Sequence, residues 1–392
     1  MKSGNPIGGC FAHFPPFGGR LLDGTSVQGC NRLLMPTIHG HTDQIKTLQQ
    51  AMEGDRLHHA WIFSGPVGVG KRTAATELGR ILLDDGVSAD DLGSQPPALL
   101  SESGALLMAG SHPDLHCLQK EDAAYSDNRN LRERKQLNIP LDLLRERVIG
   151  GRTSDNKSHD AAVYRTAAMG GSKVFIIDEA ELLDRTAQNI LLKTLEEPPK
   201  GTFIILVTSR PEQLISTIRS RCQHLRFGTL DETAMTAWIS ENEPAIDAGD
   251  LEWLTHWAEG APGRFETAVK HDLSTWAKTL QPMLDRADAG EWQPELGATM
   301  IDLIEQFAEL VLADNPKASK EAANREGLRQ LLRLLGQHLR RRLADGTNQL
   351  DCCATIDLLS EIERQSESHL NLKQLMESLS AGWASPDHTP TP

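Results

Sequence analysis

The sequence predicts an α/β protein: a parallel sheet covered by helices and built around a phosphate-binding loop, then a short helical segment and an all-helical C-terminal region. Three observations carry this. An apolar run from Trp61 breaks into the glycine-rich turn Gly65-Pro66-Val67-Gly68-Val69-Gly70-Lys71-Arg72-Thr73. A second apolar run, starting at Lys173, ends in Asp178 and Glu179, as a buried parallel strand with carboxylates at its C-terminal end should. Beyond about residue 228 strand-like runs become rare and helical spacing prevails, as at Leu328, Leu331, Leu332, Leu335 and Leu339.

In chain order, residues 1–34 are rich in Gly, Phe and Pro, show no regular period and precede a second methionine, Met35. They read as a disordered leader or as sequence upstream of a true start at Met35, the second being favoured. Residues 42–57 fit a helix, with Ile45, Leu48 and Met52 at helical spacing, and residues 60–64 fit the first strand. The turn after it meets the pattern G-x-x-x-x-G-K at Gly65, Gly70 and Lys71. Glycines accept positive φ and let successive N–H groups face one concavity, while a lysine ammonium reaches the terminal phosphates. Gly65, Pro66, Gly68, Gly70, Lys71, Arg72 and Thr73 are therefore candidate nucleotide-binding residues. The next position of the pattern calls for the hydroxyl that holds Mg²⁺ but carries Arg72, and Thr73 comes one residue late, about 100° further round a helix. Taken by itself, the glycine-rich turn is read better as an unliganded strand-to-helix connection.

Residues 84–110 are rich in Ser, Gly and Asp and lead to His112-Pro113-Asp114; residues 120–135, densely charged, and residues 150–160, polar and glycine-containing, read as loops or insertions. Between them residues 136–145 look like a short strand followed by a helix start. Asp178 stands where a carboxylate holds Mg²⁺ on a nucleotide, and Glu179 where one polarises the attacking water; the bland alternative is a helix cap and a solvated side chain. Ala187, Ile190, Leu191, Thr194 and Leu195 form one helical stripe, ended by Pro198-Pro199, and residues 202–209 form a further apolar strand. Residues 229–288 hold three short helices broken at Gly249, at residues 260–263 and at residues 288–290. The tail, residues 384–392, is polar, contains proline and is expected to be disordered.

The chain has 392 residues, 39% hydrophobic and 24% charged, enough for two or three compact units. A formal charge of −14 opposes coating of nucleic acid by the whole surface. Six cysteines without C-x-x-C spacing fit a reducing compartment, and no apolar run reaches spanning length, so the chain reads as cytoplasmic.

Further residues match a family. The runs Ile176-Ile177-Asp178-Glu179-Ala180, Asn189 through Lys193 to Pro198-Pro199, and Ser220-Arg221-Cys222 closely resemble the bacterial clamp-loader ATPases of the AAA+ superfamily, over residues 38–268. That family includes the delta-prime and tau/gamma subunits of DNA polymerase III. The resemblance implies an AAA+ domain (35–228), a helical lid (229–288) and a helical collar (289–383) for oligomerisation. It implies that Arg221 is an arginine finger acting on a neighbour's ATP, that Thr208 is sensor 1 and that Arg264 is sensor 2.

It also implies a hetero-pentameric ring with gamma/tau-type and delta subunits, acting on a sliding clamp and primed DNA. Two departures favour the delta-prime branch. Cys117 is the only cysteine between residues 71 and 178, so the four-cysteine zinc module usual in the family is not expected, and the loop ends in Gly-Lys-Arg. On this reading ATP binding is open, Mg²⁺ is held weakly through Asp178 if at all, and the chain has no polymerase site although its assembly makes DNA. The rival is a tau/gamma-like motor that hydrolyses ATP with Lys71, Asp178 and Glu179; an AAA+ ATPase outside replication also stays open.

Overall fold

The computed structural model describes residues 37–54, 57–94, 101–134, 136–242, 246–346, 349–366 and 371–383. The leader with its second methionine, and the tail, lie outside them. Among these residues are β1 (Ala60–Ser64), β2 (Leu115–Leu118), a small hairpin of β3 (Gly151–Arg152) and β4 (Ser158–His159), β5 (Lys173–Ile177), β6 (Thr202–Thr208) and β7 (Gln223–Arg226). Five of them form one parallel sheet in the order β2-β5-β6-β1-β7.

Alternation along the strands gives the sheet two cores. Ala60, Ile62, Phe175, Ile177, Ile204 and Leu206 face one, and Trp61, Phe63, Val174, Ile176, Ile205 and Val207 face the other. On the first face pack α4 (through Leu131), α5 (Leu143 and Leu144), α6 (Leu191 and Leu195) and α7 (Ile218). These helices span Arg129–Glu133, Leu141–Leu144, Arg185–Glu196 and Ser216–Arg219. The second face takes α1 (Thr42–Glu53), α2 (Lys71–Leu83) and α3 (Glu102–Met108), through Leu48, Leu78 and Leu107. A buried parallel sheet needs exactly such two-sided cover, and the strands are accordingly apolar at successive positions.

The chain divides into two compact units, residues 1–134 with 138–266, and residues 135–137 with 267–392. The first unit also holds α8 (Glu232–Asn242), α9 (Ala248–Ala258) and the start of α10 (Pro262–Lys270). The second holds α11 (Leu273–Asp288), α12 (Leu296–Asp314), α13 (Lys320–Ala344), α14 (Gln349–Ser366) and α15 (Leu372–Trp383). In it α12 packs on α13 and α15, and α14 packs on the same two, so four helices close a bundle with α11 against α12. Gly327 lets α13 approach α12 closely: a Cβ there would lie 3.3 Å from Ile304.

Several elements differ from expectation. Among the described residues of 229–288 there are four helices, not three, because Asp272 takes a left-handed conformation (φ 50°) that separates α10 from α11. Gly249 does not break a helix; it lies in the first turn of α9. The strand expected before Pro140 reduces to one bridge, Ile139 with Leu183, since proline offers no N–H to extend the ladder. The charged stretch from residue 120 contains a 3-10 turn, Lys120–Tyr125, and α4.

Candidate functional site

The glycine-rich loop joins β1 to α2 at the C-terminal edge of the sheet. Gly65 (φ 146°), Gly68 (φ 81°) and Gly70 (φ 96°) all have backbone conformations that L side chains rarely adopt. Two are also crowded. A Cβ on Gly65 would lie 2.2 Å from the Phe227 carbonyl oxygen, and one on Gly68 would lie 3.0 Å from the Arg264 nitrogen. Gly70 caps α2, so the unpaired N–H groups of its first turn open onto the loop. Val69 is buried, Pro66 exposed, and Thr73 half-buried on α2.

Lys71 is 7% exposed, and its ammonium donates to the carbonyl oxygens of Gly65 (2.8 Å) and Pro66 (2.6 Å). Burial lowers its pKa, and Glu181 and Asp178 pull the other way. The ammonium is thus centred in the loop, within reach of an anion seated there. His41 closes the loop from α1: its Nε2 lies 2.8 Å from the Val69 oxygen, and its ring stands edge-on to Phe227 at 4.9 Å.

Asp178 and Glu179 follow β5, next to β6 in the sheet, so they share the loop's edge. Glu179 is left-handed (φ 49°, ψ 48°), and its N–H donates to Asp178 Oδ1 at 3.0 Å. Each carboxylate already has a cation of this chain. Arg72 Nη1 lies 3.3 Å from Asp178 Oδ2 and donates to Gln119 Oε1 at 2.7 Å. The Lys120 ammonium is hydrogen-bonded to Glu179 Oε2. Burial works against that ammonium, yet Glu179, Glu121 and Asp178 together hold its pKa above the ordinary lysine value.

The fold implies Mg²⁺ on a nucleotide here, held by a loop hydroxyl and the strand-end aspartate. The residues do not fit that ion. A guanidinium takes the hydroxyl's position in the sequence and is bound to the carboxylate that would hold the metal, so a dication would meet a fixed positive charge.

Thr208 ends β6 opposite Ser64 of β1, also at the loop's edge, and is 1% exposed; its hydroxyl accepts from the Arg210 N–H at 3.0 Å. Glu181 accepts from the Ser209 hydroxyl at 2.7 Å. Arg264, in α10, donates to Glu259 at 3.0 Å, and the Gly263 N–H donates to the Gly68 carbonyl at 2.8 Å, which seats the start of α10 on the loop.

Arg221 stands apart. β7 runs parallel to β1 with Gln223 opposite Trp61, so Arg221 precedes the strand at the N-terminal edge of the sheet. About six residues of strand rise, roughly 20 Å, separate that edge from the loop. The guanidinium donates to the Thr217 carbonyl at 3.0 Å and pairs with Glu196 at 2.6 Å. It lines a shallow groove of about 350 Å³ with His58, His59, Glu196 and Ser220.

Sequence reading missed Gln119, Lys120 and His41. The signal for the first two was β2: its pairing with β5, Leu118 opposite Ile177, brings Gln119 and Lys120 beside Asp178 and Glu179. Had the short run from Leu115 been read as a strand, the pairing of the two carboxylates would have followed.

Residues 40–231 match the family model described as "DNA polymerase III, delta subunit". Among curated relatives, the DNA polymerase III subunit delta' of Pseudomonas aeruginosa is 31% identical over 52% of this chain and 53% of its own. That of Bacillus subtilis is 30% identical over 51% of each chain, and that of Escherichia coli 27% identical over 81% of this chain and 92% of its own. The aligned part thus spans about half the length of the first two relatives. Tau/gamma subunits are also among the matches. Over residues 40–231 the chain is thus similar to the DNA polymerase III delta' subunits.

Proposed function

We propose that this chain acts as the delta-prime subunit of a DNA polymerase III clamp loader. It joins gamma/tau-type and delta subunits in a five-membered ring that loads a sliding clamp onto primed DNA in the cytoplasm. Residues 229–288 serve as the lid and residues 289–383 as the collar that binds neighbouring collars. Arg221 acts in trans on ATP held by an adjoining subunit. One observation carries the reading: Arg221 sits about 20 Å of strand rise from this chain's own loop, on the opposite edge of the sheet. A guanidinium so placed serves only a phosphate brought by another molecule, and its permanent charge and planar fork suit that task. The groove round it, with Glu196 and the Thr217 carbonyl fixing two of its N–H groups, presents the rest of the fork outward.

The motor reading is favoured by the intact Asp178-Glu179 pair and by Thr208 and Arg264 beside the loop. It is opposed by Arg72 and Lys120, which already neutralise both carboxylates. The test is reconstitution with gamma-type and delta subunits. A stoichiometric complex is expected. Arg221→Ala should leave assembly intact and lower turnover at the adjoining ATP site by roughly 10³-fold or more, the usual worth of an arginine finger. Failure to form the complex, or normal clamp loading by that variant, overturns the reading.

A further inference from the structure

We propose that the loop at Gly65 binds a nucleoside triphosphate without a divalent cation, the Arg72 guanidinium taking the place of the metal. The inference concerns this chain's own loop and does not depend on Arg221 or on any partner. It starts from the misfit already described: the strand-end carboxylate that should hold Mg²⁺ holds Arg72 instead.

The arrangement around Arg72 is built for a fixed cation. Its Nη1 spans two acceptors, Gln119 Oε1 at 2.7 Å and Asp178 Oδ2 at 3.3 Å, on strand ends brought together by the β2–β5 pairing. The donors on Nε and Nη2 have no partner among the described residues, and the side chain is about one-third exposed (35%). Arginine carries five N–H donors in a planar fork that matches phosphate oxygens, so one end can be anchored while the other meets a ligand. Arg72 follows Lys71 directly in the first turn of α2, so two cations start from the same turn whose N–H groups open onto the loop.

Much of the carboxylate charge is offset without a metal. Lys71, Arg72 and Lys120 face Asp178, Glu179, Glu181 and Glu121, so three of four negative charges are matched by cations of this chain before ligand binds. In an ordinary loop of this type the carboxylates are neutralised by the ion that arrives with the nucleotide. Here Mg²⁺ arriving with the nucleotide would be repelled by Arg72 and would compete with it for Asp178.

The experiment is titration of the purified full-length chain with ATP, by calorimetry, in excess Mg²⁺ and in excess EDTA. ATP is expected to bind at least as tightly in EDTA as in Mg²⁺, and Lys71→Ala to abolish binding in both. Arg72→Thr, which returns a hydroxyl to the position, should reverse the preference to Mg²⁺ by about tenfold or more. Absence of ATP binding to the wild-type chain in either buffer, or binding that requires Mg²⁺, overturns the proposal. The wild-type comparison stands on its own should Arg72→Thr fold poorly. Because no other subunit is present, the outcome is independent of the reconstitution that tests Arg221.

Discussion

Arg72 Nη1 lies 3.3 Å from Asp178 Oδ2, so the residue that replaces the loop hydroxyl is bonded to the carboxylate with which that hydroxyl would share a metal. The substitution and its consequence meet in one contact. Lys120 does the same to Glu179 from a neighbouring strand end.

The first prediction follows from these two pairs. The purified chain should release no phosphate from ATP above background in the presence of Mg²⁺, and Lys71→Ala should change nothing. Phosphate release measured on both proteins checks this. Substantial Mg²⁺-dependent turnover that Lys71→Ala abolishes would instead favour the motor reading.

Gly65→Ala should destabilise the first unit. The residue's φ of 146° is costly for alanine, and the new methyl would stand 2.2 Å from the Phe227 carbonyl oxygen. The backbone conformation alone costs about 1–3 kcal/mol, and the clash adds to it because the opposing atom is backbone rather than the far end of a flexible side chain. Thermal melting should show a fall of several degrees, with ATP affinity reduced in the same variant.

How much of this was legible beforehand varied with the kind of signal. The long apolar strands β1, β5 and β6 and the loop glycines stood out because each is a local pattern with a physical cause. The edge strands β2 and β7 did not. They are four residues long, and β7 exposes Gln223, His224 and Arg226 with only Leu225 buried, so nothing apolar marks it. Lys120 was missed for the same reason: its partner is 59 residues away, and only the strand pairing brings them together. Asp272 was missed because a non-glycine left-handed residue leaves no mark in composition.

His271 makes the second unit sensitive to acid. It is 7% exposed, its Nδ1 has no hydrogen-bond partner among the described residues, and its ring lies 4.2 Å from that of Phe307. Burial lowers its pKa to about 4; Lys270 pushes the same way, while Asp314 and Glu326 oppose. A folded value below the unfolded one means full stability above the unfolded pKa and loss as pH falls from 6.5 towards about 4. The loss amounts to at most ~3 kcal/mol. His271→Leu should therefore lose less stability than the wild type between pH 7 and 4.5 in urea unfolding followed by circular dichroism.

Asp288 joins three helices of the second unit. Its carboxylate accepts from Arg342 (2.6 Å), from Trp383 Nε1 (2.9 Å) and from His338 Nε2 (2.7 Å). Asp288→Ala leaves a guanidinium, an indole and an imidazole without their acceptor and should cost about 3–5 kcal/mol. Urea unfolding checks the magnitude.

β7 has one end at each of the two chemistries discussed. Its start follows Arg221, and just past its end the Phe227 N–H donates to the Ser64 carbonyl at 2.8 Å, with the Phe227 oxygen pressed against Gly65. β7 is paired with β1 over all four of its residues, Trp61 opposite Gln223 through Ser64 opposite Arg226. One neighbouring strand thus fixes the place of both ends, the one that follows the guanidinium and the one that braces the glycine turn.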